Sequence, residues 1–348
     1  MNTITKIAIV PSLVFAAMFL VGPPVHAQNV CATVPELGSL VREIGGEQVT
    51  VTVFARGTED PHFVEARPSF VKALSKANLF VIGGLSLESG WVPALLQGAR
   101  NPAVGTGGRG FLDTSVAIEP LQVLTGRVDR SQGDVHPGGN PHYLSDPING
   151  LKVARLIRAK LIELRPEQRT YYEDRYTAFA QKVARHLVGE ELLEKYTVED
   201  VPKLALLHEH GELRAFLKRE GQDQLLGGWL GMMEPYYAAK AVDDHNMWPY
   251  FAKRFGIQIV AHLEPKPGIP PTTAHLRTVV ERMKADKIRV VLANAYYDPR
   301  HAQFVANQTG AKVVNMAHQV GARPGTDNYL AMVDYNVRQL AESLGAGK

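Results

Sequence analysis

Twelve histidines and a single cysteine set the chemistry open to this 348-residue chain. One thiol can form no intramolecular disulfide and no all-cysteine zinc site. Any transition metal would have to be held by imidazole and carboxylate. Several histidines stand where a strand or helix should just have ended. His62 lies in Glu59-Asp60-Pro61-His62, and His136 and His142 lie in Asp134-Val135-His136-Pro137-Gly138-Gly139-Asn140-Pro141-His142. His245 precedes a helical stretch in Asp243-Asp244-His245-Asn246-Met247-Trp248, and His318 follows an apolar run in Asn315-Met316-Ala317-His318. Imidazole is the commonest side-chain metal ligand and suits zinc. A proline beside it restricts the backbone and holds the ring ready, and acidic neighbours can orient it. A lone loop histidine is more often a solvated polar residue. The pair Pro61-His62 and Pro141-His142 shifts that balance. His208-Glu209-His210 is a weaker candidate, since it is not the HExxH pattern of zinc proteases. His262 could enter a cleft. His186, His275 and His301 sit on helical faces and are expected in solvent.

These turns need a scaffold, and the chain alternates strand-like with helical runs. Gln48 to Phe54 alternates with period two and is rich in Val and Thr, as a strand would be. Pro68 to Lys76 reads as a helix, and Leu79 to Ile82 as a buried parallel strand ending in Gly83-Gly84. The Gly-rich stretch Ala103 to Gly110 lacks GxxxxGK[ST] and reads as a surface loop. Pro166 to Tyr196, with Pro166 at a first helical position, reads as one long helix near mid-chain. Beyond it, Leu204 to Leu207, Ile257 to Ala261, Val290 to Ala293 and Lys312 to Asn315 are short apolar runs. Helical stretches from Trp248 to Phe255, Thr273 to Ala285 and Pro299 to Thr309 separate most of them, and Asp327 to Leu344 closes the chain as a helix. The pattern predicts an α/β protein: two lobes with mostly parallel sheets joined by one long rigid helix. Ligands in such folds sit at the carboxyl ends of strands, in the cleft.

Met1 to Ala27 has Lys6, an apolar run from Ile7 to Val21, and small residues at Val25 and Ala27. This is the layout of a secretory signal, and the run is shorter than the roughly 20 apolar residues of a spanning helix. The division expected is a signal at 1–27, an N-terminal lobe at 28–165, a linker helix at 166–196 and a C-terminal lobe at 197–348. Cys31 does not directly follow the cut, as a lipid-bearing cysteine would. The mature chain is therefore expected to be periplasmic, soluble and not lipid-anchored. A net charge of +3 on 348 residues is too balanced for a dedicated nucleic-acid binder.

The chain resembles the metal-binding proteins of bacterial ABC importers for zinc and manganese, cluster A-I. The resemblance rests on Glu59-Asp-Pro-His62 with Glu65-Ala-Arg-Pro-Ser69, Ala77 to Leu85, and Gly139-Asn-Pro-His142-Tyr-Leu-Ser-Asp146-Pro147. It continues through His245 to Gly256, Leu263 to Ile269, and Gly325-Thr-Asp327-Asn-Tyr329 to Asn336. Their order and spacing together are specific and cover almost all of the mature chain. The resemblance implies two lobes, a rigid helix and one metal between the lobes. It implies His62, His142 and His245 as ligands. Manganese-preferring members often have Glu at the third position, so His245 favours zinc. The family commonly offers an Asp after the last strand. That position falls near Ala317, with no acid present, and His318 is the expected replacement. The implied partners are a membrane permease and its ATPase, with zinc as cargo and the protein monomeric. The loop from Ala103 to His136 carries only His136, unlike the His-rich loop of many zinc members.

Binding by neutral imidazoles is expected to weaken as pH falls through the histidine range. Alternatives are a manganese- or iron-binding homologue, an exported zinc hydrolase with Glu59 or Asp60 as base, and a metal-independent adhesin. The absence of HExxH and GxSxG counts against the commonest hydrolases.

Overall fold

A computed structural model of the protein describes residues 27–124, 136–265 and 269–346. The expected signal segment and part of the loop before His136 lie outside the described residues. Eight strands form two four-stranded sheets. The first contains β1 (Gln28–Ala32), β2 (Val49–Val53), β3 (Leu79–Ile82) and β4 (Phe111–Asp113) in the order β2-β1-β3-β4. The second contains β5 (Lys240–Asp243), β6 (Gln258–His262), β7 (Val290–Ala293) and β8 (Lys312–Asn315) in the order β6-β5-β7-β8. All pairings are parallel. Both sheets thus have the same strand permutation, and the α/β two-lobe expectation holds. Parallel strands need crossovers, and helices supply them on both faces.

Helices α1 (Pro35–Gly45), α2 (Pro68–Leu74) and α3 (Val92–Ala99) cover the first sheet, and α4 (Pro147–Leu164) leads out of it. Phe54 stacks on Phe70 with Trp91 against its edge, and this aromatic cluster supports the loop after β2. The long helix α5 (Arg169–Val188) follows a short 3-10 turn at Pro166–Gln168. Its face of Phe179, Val183, Leu187 and Val188 is buried. It packs on α1 and α4 at one end of the molecule and on the later helices α7 and α9 at the other. The expected single helix from 166 to 196 is therefore shorter. It stops at Gly189, whose φ of +84° leaves the helical region, and a separate turn, α6 (Glu190–Leu193), follows. A Cβ at Gly189 would stand 2.9 Å from Gly227 Cα, so both backbone conformation and close approach require glycine.

The second half departs from expectation in one place. Leu204 to Leu207 lies inside α7 (Val201–Glu209), followed by α8 (Leu213–Arg219) and α9 (Gly228–Met233). Leu204 and Ala205 are buried while Leu206 is exposed, which is the one-sided burial of a helix. The first strand of the second sheet is instead β5, whose run begins with Lys240. The remaining helices are α10 (Pro249–Phe255), α11 (Thr273–Ala285), α12 (Pro299–Thr309) and α13 (Tyr329–Gly345). The Gly-rich stretch Ala103 to Gly110 contains turns but no helix or strand, as expected, and β4 begins directly after it.

Candidate metal centre

Two of the histidines are set by one local device. Asp60 and Asn140 each stand two residues before a histidine, with a proline between. Asp60 Oδ1 accepts from the backbone N–H of His62 at 3.0 Å and from its Nδ1 at 2.6 Å. Asn140 Oδ1 accepts the same two bonds from His142, at 3.0 and 2.9 Å. The Asn140 amide is oriented by its Nδ2, which donates to Gln122 Oε1 and to Asn246 O. A carboxylate and an amide oxygen only accept. The ring proton is therefore on Nδ1 in both, and the Nε2 lone pair faces away from the turn. Burial works against ionisation of Asp60, but its hydrogen bonds and charge interaction with His62 outweigh that and hold it below the usual carboxylate range. This is the usual second-partner arrangement of a metal-binding imidazole.

The rings gather around His142. Its centroid lies 5.3 Å from that of His62, 4.9 Å from His318 and 6.4 Å from His245. All four histidines singled out in the sequence thus stand together, although 256 positions separate His62 from His318. They are 3–8% exposed. His142 Nε2 and His245 Nδ1 are buried with no hydrogen-bond partner among the described residues. Leaving such an atom unsatisfied costs roughly 1–3 kcal/mol, and a bound cation would use the lone pair.

A fifth histidine joins them. His136 Nδ1 lies 3.0 Å from Leu85 O, which accepts its proton, and His136 Nε2 lies 3.2 Å from His62 Nε2. A left-handed run, Gly84, Leu85 and Ser86, with φ of +75°, +50° and +65°, carries that carbonyl. Non-glycine residues at positive φ are uncommon. In neutral rings the two Nε2 lone pairs would face each other, and a shared proton or a cation relieves the repulsion. Tetrahedral zinc with bonds of about 2.0–2.1 Å places its donors about 3.3 Å apart. The sequence placed His136 in the right turn but gave no sign that Leu85 would aim it at His62.

The second-half histidines are held by tertiary contacts. Asn336 of α13 brackets Ala317, accepting from its N–H at 2.8 Å and donating to its carbonyl at 2.7 Å. His318 meets the edge of Trp248, and Tyr296 Oη lies 3.3 Å from its Nδ1. The His245 turn hangs from β7, because Asp244 N–H donates to Leu292 O and Asp244 Oδ2 accepts from Asn294 N–H at 2.7 Å. Burial pushes Asp244 up to about 7.

Burial and then neighbouring imidazoles lower the basicity of three rings. His318 falls to about 3, His245 to about 4, and His142 lies well below its ordinary value. At neutral pH these rings are uncharged and able to donate lone pairs. Among the described residues no three His, Cys, Asp or Glu side chains already form a closed metal cage.

The carboxylates nearest in sequence are committed elsewhere. Glu59 accepts from Arg56 N–H and pairs with Arg67 at 3.3 Å, and Asp60 is taken by His62. The remaining histidines do other work. His208 is buried on α7 against the Tyr237 ring, Glu209 pairs with Lys253 and Arg254, and His210 is exposed. His262 closes β6, with Nδ1 at 2.5 Å from Asp243 Oδ1. Two of the histidines expected in solvent are engaged instead: His186 stacks on Trp229, and His275 Nε2 lies 2.9 Å from His262 O.

The profile of the family described as "ZnuA: Zinc-uptake complex component A periplasmic" matches residues 30–221 and 233–343. The chain belongs to the ZnuA family. Relatives include the metal ABC transporter substrate-binding lipoprotein ScbA of Streptococcus cristatus, 22% identical over 91% of this chain and 88% of that one. The manganese ABC transporter substrate-binding lipoprotein PsaA of Streptococcus anginosus is 22% identical over 91% and 89%. Among solved structures, one described as ZnuA superposes with a TM-score of 0.65 at 19% identity, covering 91% of this chain and 99% of that one. A manganese-bound periplasmic metal binding protein from Candidatus Liberibacter asiaticus gives 0.63 at 17%, covering 90% and 98%. This ZnuA-family chain is accordingly a metal-binding component of an ABC importer and not an enzyme, so the hydrolase alternative falls.

Proposed function

We propose that the chain captures zinc between its two lobes and delivers it to a membrane permease driven by a cytoplasmic ATPase. His62 and His142 from the first lobe, and His245 and His318 from the second, are the proposed ligands, with His136 beside them. The observation that carries this reading is the donor set: five neutral or neutralisable imidazoles and no free carboxylate among them. Manganese favours oxygen ligands, and imidazole suits zinc. A second reading, manganese as cargo, is favoured by the names of several relatives. The lobes are taken as 28–165 and 197–348, with 166–196 between them.

We place the mature protein in the periplasm as a soluble monomer, after removal of residues 1–27. Cys31 supports the absence of a lipid anchor. It sits in the middle of β1, paired on both sides by β2 and β3, and its buried thiol is pushed up to about 12. A lipid-bearing cysteine has to be the free first residue. The test is zinc titration of His62→Ala and His142→Ala. Each should lose zinc affinity by about 100-fold or more; unchanged affinity in both would overturn the site.

A further inference from the structure

The turn that carries His142 is gripped from the opposite lobe at both of its ends, by the same segment that carries His245. Before His142, Asn140 Nδ2 donates to Asn246 O at 2.9 Å, and Tyr250 Oη donates to Asn140 O at 2.9 Å. Tyr250 Oη also accepts from Leu121 N–H at 2.9 Å. After His142, Arg254 on α10 forms a two-pronged ion pair with Asp146, Nε to Oδ1 at 2.9 Å and Nη2 to Oδ2 at 3.0 Å. Arg254 Nη1 donates to Ala205 O at 2.8 Å, and Nη2 lies 3.4 Å from Glu209. Asp146 and Arg254 are 5% and 6% exposed. Asp146 is fixed in turn, since its Oδ1 caps α4 by accepting from Ile148 N–H at 2.8 Å.

We infer that Tyr250 and Arg254 are positioning residues for the metal centre, fixing the distance between His142 and His245 across the two lobes. This rests on the zinc site proposed above. Neither residue touches a donor nitrogen. Each acts through the backbone or cap of the His142 turn. Asn140 is the relay, because the residue that Tyr250 and Asn246 hold also accepts the His142 Nδ1 proton. A two-pronged guanidinium–carboxylate pair adds direction as well as attraction, and truncating one partner of a buried pair leaves the other charge uncompensated. The His142–His245 side of the site is therefore preset, and a bound ion does not have to draw those two rings together.

The test measures zinc release by stopped flow, the visible spectrum with cobalt(II) in place of zinc, and metal-free melting, for the full mature chain. The variants are Tyr250→Phe, Arg254→Lys and Arg254→Gln, with Trp229→Phe as a reference that removes a part-buried bond to Asp334 on α13. Loss of an outer partner typically costs a metal site about 10–100-fold in affinity. Tyr250→Phe should release zinc about tenfold faster and shift the cobalt bands, and Arg254→Gln should do more, with Arg254→Lys between. Trp229→Phe should lower the melting temperature with wild-type release and spectrum. Variants that melt earlier yet keep wild-type release and spectrum would show a purely structural role and overturn the inference. If Arg254→Gln fails to fold, Tyr250→Phe, which loses only a hydroxyl, decides. Failure of the wild-type chain to bind zinc or cobalt would instead overturn the site reading itself.

Discussion

The two lobes present their histidines by different means. In the first, His62 and His142 are each oriented within three residues: an Asx side chain, a proline and the histidine whose backbone and Nδ1 the Asx oxygen both hold. In the second, His245 and His318 have no such local latch. Their turns hang from β7 and from Asn336 of α13, and their rings are set by packing against Trp248, Tyr296 and Tyr297. The first lobe is built to offer lone pairs in a fixed direction. The second depends on the whole fold, and through Tyr250 and Arg254 on its grip across the cleft.

The largest effect expected is from the donors themselves. His142→Ala, which removes the ring at the centre of the cluster, should cost more than His245→Ala, measured as zinc affinity. If His245→Ala were the more damaging, the second lobe would be the primary anchor. Next come the latches. Asp60→Ala and Asn140→Ala should each weaken zinc about tenfold or more, with less change in melting for Asp60, whose side chain is 24% exposed. Asn336→Ala should do the reverse, lowering the melting temperature markedly and zinc affinity less, because it holds backbone and no ring. Equal profiles for the two lobes would remove the contrast.

The pH behaviour follows from burial. His142, His245 and His318 have folded values lowered beneath the unfolded value of about 6.5. Protons then favour the unfolded chain. Their contribution to the metal-free protein should be complete above about pH 6.5 and decline as pH falls toward 4 and then 3, read as melting temperature against pH. For the same reason these three rings should not lose zinc through the ordinary histidine range; their competition with protons begins lower. A steep loss of zinc affinity between pH 7 and 6 traceable to any of the three would contradict their burial. The smallest effect expected is from His210→Ala at the exposed end of α7, which should leave zinc affinity unchanged.

Much of this was legible in the chain. Helices at Thr273–Ala285 and Pro299–Thr309 and strands at Leu79–Ile82, Val290–Ala293 and Lys312–Asn315 follow from periodicity and caps alone, because local signals there agree with the fold. Leu204 to Leu207 misled as a strand-like run because four residues are too few to separate a buried strand from one turn of helix. Lys240–Asp243 was hidden for a related reason: its first residue is charged and only the next three are buried. The four proposed ligands stand in turns that single them out as candidates, and the family resemblance implies His62, His142 and His245, with His318 as the expected replacement for the fourth. The approach of His136 to His62 was not legible, since it depends on Leu85, 51 positions away, and on a left-handed backbone that carries no glycine at two of its three positions. Tyr250, Arg254 and Asp146 were likewise invisible, because a contact over 108 positions leaves no local pattern.

The most direct measurement is a competitive titration of the metal-free mature chain with zinc and manganese, followed by metal analysis of the isolated complex. A site of imidazoles from both lobes should take one zinc per chain and hold it against a hundredfold excess of manganese. Manganese bound as tightly as zinc, or zinc bound equally well once His62 and His142 are both replaced by alanine, would contradict it.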